Sequence, residues 1–233
     1  MSTSRDWRAV IFDLWDTLVP FPSQLIAERD AALAETLAVD PDELRSAWLR
    51  LEPIWQTGPL LPSLGLLCAE LGARDADLEQ LLAVRLEYMR RALQPRREVI
   101  ETLRELRRRG LRMALISDCS GDVPLVWGET SFAGLFDATV FSCEAGLRKP
   151  DVLVYSKAAF ELRVPRSRSL FVGDGGNDEL VGAARAGMTA VLLRTGKRGA
   201  PGARRWTHEI DEIPAVLRLL DRSWGRLSGS AGG

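Results

Sequence analysis

Apolar residues along this chain follow two different rhythms, and the change between them divides it. Residues 8–14, RAVIFDL, form a short apolar run closed by an acid, which predicts a buried strand of a parallel sheet. From residue 23 the spacing turns helical through SQLIAERDAALAETL (23–37), DPDELRSAWLRLEPIW (40–55), LPSLGLLCAELG (61–72) and DADLEQLLAVRLEYMRRAL (75–93). Asp40 before Pro41, and Asp75 or Asp77, are suited to cap helix N-termini, and Gly72 suits a helix end. The block carries no strand pattern and is predicted to be an all-helical insert.

After Pro95 helices and strands alternate. An amphipathic helix over 97–110 is followed by a strand (111–117), a helix and loop (122–136) and a strand (138–142). Then come a helix (150–163), a strand (168–174), a helix (178–188), a strand (189–193) and a short edge segment with a last helix (208–221). Strands alternating with helices imply an α/β core, a parallel sheet covered on both faces. The predicted division is a core of residues 1–21 and 93–227, an insert of 22–92, and a disordered tail, 228–233. The PFP run at 20–22 is a stiff hinge between the two parts.

Composition narrows the partners. Of 233 residues 46% are apolar, enough for a packed interior, and a net charge of −1 gives no reason to expect nucleic acid. The arginine run Arg107–Arg109 ends an amphipathic helix and reads as a solvated face. Three scattered cysteines, Cys68, Cys119 and Cys143, without metal-ligand spacing, fit buried reduced thiols. No leader or membrane span is read in the sequence, so the expected location is cytoplasmic. Lysine occurs only at 149, 157 and 197 in an arginine-dominated chain, which singles out Lys149.

Asp13, Ser117 and Asp174 each end an apolar strand, and Lys149 stands just before Pro150 at a helix start. Ligands of open parallel sheets collect at the carboxyl ends of strands, so these side chains are expected to converge there. Singly, each acid reads as a helix cap. Together, FDLWDTL (12–18), LISD (115–118), RKPDVLVY (148–155) and VGDGGNDELVGAARAGM (172–188) resemble, in order, the motifs of the haloacid dehalogenase-like (HAD) hydrolase superfamily. The insert stands where many members of that superfamily carry a helical cap.

The resemblance implies a Rossmann-like core and an aspartate nucleophile, Asp13, that forms an aspartyl-phosphate. It implies Mg2+ held by Asp13, Asp174 and the backbone carbonyl of Trp15. Asp178 or Glu179 supports the ion, with Asp178 preferred. Thr17 and Ser117 are expected to hold phosphoryl oxygens and Lys149 to neutralise charge. The expected partner is a small phosphate ester or an acyl or aryl phosphate, with the chain acting as a monomer or homodimer.

Trp15 departs from the phosphatase pattern, in which a second aspartate two residues after the nucleophile shuttles the proton. An indole N–H donates a hydrogen bond but transfers no proton at neutral pH. Asp118 is the better substitute acid; Asp16 is expected to point away. Four readings stay open: a phosphatase whose leaving group needs little protonation, one with a substitute or no acid, a 2-haloacid dehalogenase, and a silent binder. Dehalogenases of the superfamily carry an aromatic residue at this position, but use no metal and lack the acidic fourth motif. Metal-dependent phosphoryl hydrolysis therefore ranks first. In the insert, Arg29, Arg50, Arg85, Tyr88 and Arg90 are candidates to face substrate, while Trp48 and Trp55 read as insert core. His208, the only histidine, reads as partly exposed rather than as a base.

Overall fold

The computed structural model describes residues 6–195 and 206–224. Six parallel strands form one sheet: β1 (Ala9–Phe12), β2 (Arg112–Ser117), β3 (Ala138–Phe141), β4 (Ser169–Gly173), β5 (Thr189–Leu193) and β6 (His208–Ile210), in the order β3-β2-β1-β4-β5-β6. The chain steps outward from β1 on one side through β2 and β3, then returns to β4 on the other. The reversal of strand order therefore lies at β1 and β4, whose register pairs Phe12 with Val172. Their ends carry Asp13 and Asp174, and Asp13 N–H donates to Val172 O at 2.9 Å.

Side-chain alternation along each strand builds two cores. Val10, Phe12, Met113, Leu115, Leu170 and Val172 face one layer, closed by α6 (Arg97–Arg108), α7 (Asp122–Trp127) and α11 (Ala215–Trp224). Ala9, Ile11, Ala114, Ile116 and Phe171 face the other, closed by α9 (Val152–Leu162) and α10 (Glu179–Arg185). A four-residue helix, α8 (Ser142–Ala145), follows β3, so Ser142, expected in the strand, begins a helix instead.

The insert is helical, as its spacing predicted: α1 (Ser23–Leu37), α2 (Pro41–Arg50), α3 (Glu52–Trp55), α4 (Leu60–Glu70) and α5 (Leu78–Ala92). Leu33, Leu44, Trp48, Leu64, Leu67 and Leu81 form a core of its own. Asp40 caps α2 through Asp42 N–H and Glu43 N–H; Asp77, not Asp75, caps α5 through Glu79 N–H and Gln80 N–H. The helix predicted over 40–55 is broken into α2 and α3, because Pro53 has no N–H to continue the ladder. At its end α5 leaves the insert core: Met89 and Ala92 pack into the sheet's core. Gly72 and Gly110 adopt positive φ at the ends of α4 and α6. Among the described residues no helix is long and apolar enough to cross a membrane. The expected tail, 228–233, and Lys197 lie outside the described residues.

Candidate active site

Asp13, at the carboxyl end of β1, is 5% exposed, and each of its carboxylate oxygens is engaged. Thr17 Oγ1 donates to Oδ2 at 2.9 Å, and the Lys149 ammonium donates to Oδ1. Lys149 Nζ also reaches Glu179 Oε2 at 2.7 Å, so one buried cation bridges two buried carboxylates. Burial works against the charged lysine, but Asp13, Glu179 and Asp118 together hold its pKa well above the ordinary value.

Asp13, Asp174 and Glu179 offer one oxygen each within 4.8 Å of one another. Three clustered carboxylate oxygens are the donor set of a hard divalent cation. Burial, then the nearby Asp13, raise the Glu179 carboxyl to about 8. Burial also raises Asp174, against the Gly176 N–H that donates to it at 3.1 Å. Lys149 opposes both shifts without cancelling them, and the three clustered carboxylates fit a further cation there.

The preference for Asp178 is corrected by this geometry. Asp178 is exposed, with φ 54, whereas Glu179 is 1% exposed and turns inward. Glu179 stands one turn before Gly182 and Ala183, on the buried face of α10, and helix periodicity from those two residues was the available sign. Its neighbours hold it: Gly175 N–H donates to Oε1 at 3.0 Å, and Tyr155 Oη donates to its backbone carbonyl at 2.7 Å. A Cβ at Gly173 would stand 2.0 Å from Glu179 Oε1, so only glycine admits this carboxylate under the end of β4.

The other expected residues divide. Thr17 spends its hydroxyl proton on Asp13. Ser117 is fully buried at the end of β2, and its Oγ has no hydrogen-bond partner among the described residues. Asp118 lines the cavity above the sheet and accepts from Lys149 N–H at 3.0 Å; burial raises its pKa. Asp16, expected to point away, also lines the cavity: with φ 56 it turns its Oδ1 to accept from Phe21 N–H at 3.0 Å. His208 is half-buried on β6, three strands from β1 in the sheet order.

The insert roofs this cavity of about 440 Å³. Trp15 and Phe21 meet edge to face at 6.1 Å on its lower wall, and Trp48 and Trp55 stack at 5.3 Å on its upper wall. The two tryptophans thus belong both to the insert's core and to the cavity lining. Arg29 and Tyr88 line the cavity as well; Arg50, Arg85 and Arg90 are turned to Glu70, Asp122 and Glu129.

A parallel sheet with a buried aspartate at its switch point, a lysine on that aspartate and acids beside it is the arrangement that the sequence motifs lead one to expect of a hydrolase. The haloacid dehalogenase-like hydrolase family matches over residues 7–187, and the chain belongs to that family. It is 30% identical over 203 residues to a glyceraldehyde 3-phosphate phosphatase of Methanopyrus kandleri, covering 82% of this chain and 85% of that one. It is 32% identical over 163 residues to an (S)-2-haloacid dehalogenase of Pseudomonas sp. (strain YL), covering 68% of each. In fold it is similar to a 2-haloacid dehalogenase from Pseudomonas syringae pv. Tomato, with a TM-score of 0.72 at 23% identity over 93% of this chain and 99% of that one.

Proposed function

We propose that this hydrolase is a divalent-metal-dependent phosphatase, with Mg2+ as its ion and a small phosphate ester or acyl or aryl phosphate as its substrate. The clustering of Asp13, Asp174 and Glu179 carries this reading. Asp16 and Asp118 add two more carboxylates to the cavity lining, against Lys149 and an Arg29 already paired with Asp30 at 2.7 Å. Such an excess of negative charge repels any anionic substrate unless a further cation is present. Asp13, Asp174 and Glu179 would hold a divalent ion, which supplies charge neutralisation at the transferred phosphoryl group.

The chain's own groups account for the rest. Thr17 and Lys149 fix both oxygens of Asp13, orienting it for in-line attack on phosphorus. The bond from phosphorus to the leaving oxygen breaks as an acyl phosphate forms on Asp13; water then cleaves that acyl phosphate, releasing inorganic phosphate and restoring the carboxylate. Lys149 offsets charge beside the nucleophile. The unpartnered hydroxyl of Ser117 is suited to a phosphoryl oxygen, since a buried hydroxyl without a partner is costly. The insert excludes water from the step. Buried free thiols favour the cytoplasm as the setting.

Dehalogenation is the second reading, favoured by the aromatic Trp15 and by the haloacid dehalogenase among the relatives. A haloacid's carboxylate meets the same acidic cluster without the cation's help. Phosphate and halide release should be measured on para-nitrophenyl phosphate, acetyl phosphate, glycerol 3-phosphate and 2-chloropropionate, with MgCl2 and with EDTA. Phosphate release that needs Mg2+ is the expected result. Halide release that persists in EDTA overturns the phosphatase reading.

A further inference from the structure

We propose that the group this enzyme removes from phosphate is a flat aromatic alcohol, seated between the tryptophans of the core and the insert. The inference rests on the phosphatase reading and deepens it to a substrate class. Asp13, Asp174, Glu179 and Lys149 bring charge to the part of the cavity at the sheet's edge. Trp15, Phe21, Trp55, Tyr88, Leu25 and Ile26 form an apolar and aromatic part of the cavity's wall. Three donors that the insert presents there are already engaged, while the Gln56 Oε1 acceptor has no partner among the described residues. Arg29 Nη2 donates to Asp30 at 2.7 Å, Gln56 Nε2 donates to Glu52 at 2.7 Å, and Trp55 Nε1 donates to Trp48 O at 2.8 Å. A polyol or sugar leaving group would find few hydrogen-bond partners in such a wall and would lose those it had in water. A planar ring would find faces and edges of other rings. The cavity of about 440 Å³ is within the range of sites for drug-sized ligands.

The residue at position 15 independently agrees. When Asp13 attacks, the bond from phosphorus to the aryl oxygen breaks and its electron pair leaves on that oxygen. A phenolate, whose conjugate acid resembles tyrosine with a pKa of roughly 10, departs without a proton donor far more readily than an alkoxide. It takes its proton from solvent afterwards. Trp15 thus replaces a proton carrier with a wall for the ring.

Binding and turnover together test this. With Mg2+ present, 1-naphthylmethylphosphonate should bind, by tryptophan fluorescence, about 30-fold or more tighter than propylphosphonate. Trp55→Ala should weaken naphthyl binding roughly 10-fold. In turnover, 1-naphthyl phosphate should exceed glycerol 3-phosphate in kcat/KM by about 100-fold. Propylphosphonate or hexylphosphonate binding as tightly as the naphthyl compound overturns the inference, whatever the variant does. So does equal turnover of the naphthyl and glycerol esters, while the phosphatase reading stands. No phosphate release from either ester or from acetyl phosphate overturns both.

Discussion

Arg85 of α5 and Asp122 of α7 form an ion pair closed to solvent: Nη2 stands 2.6 Å from Oδ2, and the side chains are 1% and 0% exposed. Arg85 also donates to Ser120 Oγ at 3.1 Å, and Trp48 lies 4.3 Å from its guanidinium. This pair ties the insert to the loop that carries Asp118 to Ser120, so it sets the roof over the floor of the cavity. Burial pushes the Arg85 pKa down to about 10, with Asp122 opposing. Burial pushes Asp122 up, but Arg85, Arg29 and Ser120 outweigh it and hold the carboxyl below its ordinary value.

Removing one partner leaves a buried charge alone. Arg85→Met should destabilise the protein by about 3–5 kcal/mol at pH 7, measured by urea unfolding, and Arg85→Met with Asp122→Leu should recover most of it. The sign with pH follows. In the wild type the lowered Asp122 pKa contributes stability above the ordinary carboxylate range, lost as pH falls through the lowered value. In Arg85→Met the largest of the groups opposing burial is gone and only Arg29 and Ser120 remain, so the Asp122 pKa rises from its wild-type position and the deficit should shrink as pH falls from 7 towards 5. A deficit that grows over that range would contradict the pairing.

Asp13→Asn should reduce phosphate release by roughly 10⁴-fold or more, into the background, without loss of the folded state by circular dichroism. Turnover near the wild-type rate would remove Asp13 from the nucleophile's place.

Glu179→Gln should raise the Mg2+ concentration for half-activation by about 10–100-fold. Asp178→Asn, at an exposed site, should change it less than about 2-fold. The reverse ranking would return the ion-supporting role to Asp178.

Trp15→Asp places a carboxylate two residues after Asp13. It should raise kcat for glycerol 3-phosphate by roughly 10²-fold and leave para-nitrophenyl phosphate and acetyl phosphate within about 3-fold. Equal gains for all three substrates would count against a missing acid.

Several features of the fold were legible in the residues because they depend on local rules. Short continuous apolar runs mark β1, β2 and β4, and helical spacing marks α1, α5 and α6. Asp40 and Asp77 cap where an acid before a helix should. The α2 break at Pro53 was also present in the residues, but apolar spacing through Trp48 and Trp55 concealed it.

What the sequence alone determined is the family and the inventory of side chains: Asp13, Ser117 and Asp174 after apolar strands, Lys149 before a helix, and a tryptophan at position 15. Which of Asp178 and Glu179 turns inward, that Thr17 and Lys149 each hold one oxygen of Asp13, and that Trp15 and Trp55 line one cavity were decided only by tertiary structure. The physical reason is distance along the chain. Lys149 and Asp13 are 136 residues apart, and Arg85 and Asp122 are 37. Contacts of that reach are set by how helices and insert pack on the sheet, and no local spacing encodes them.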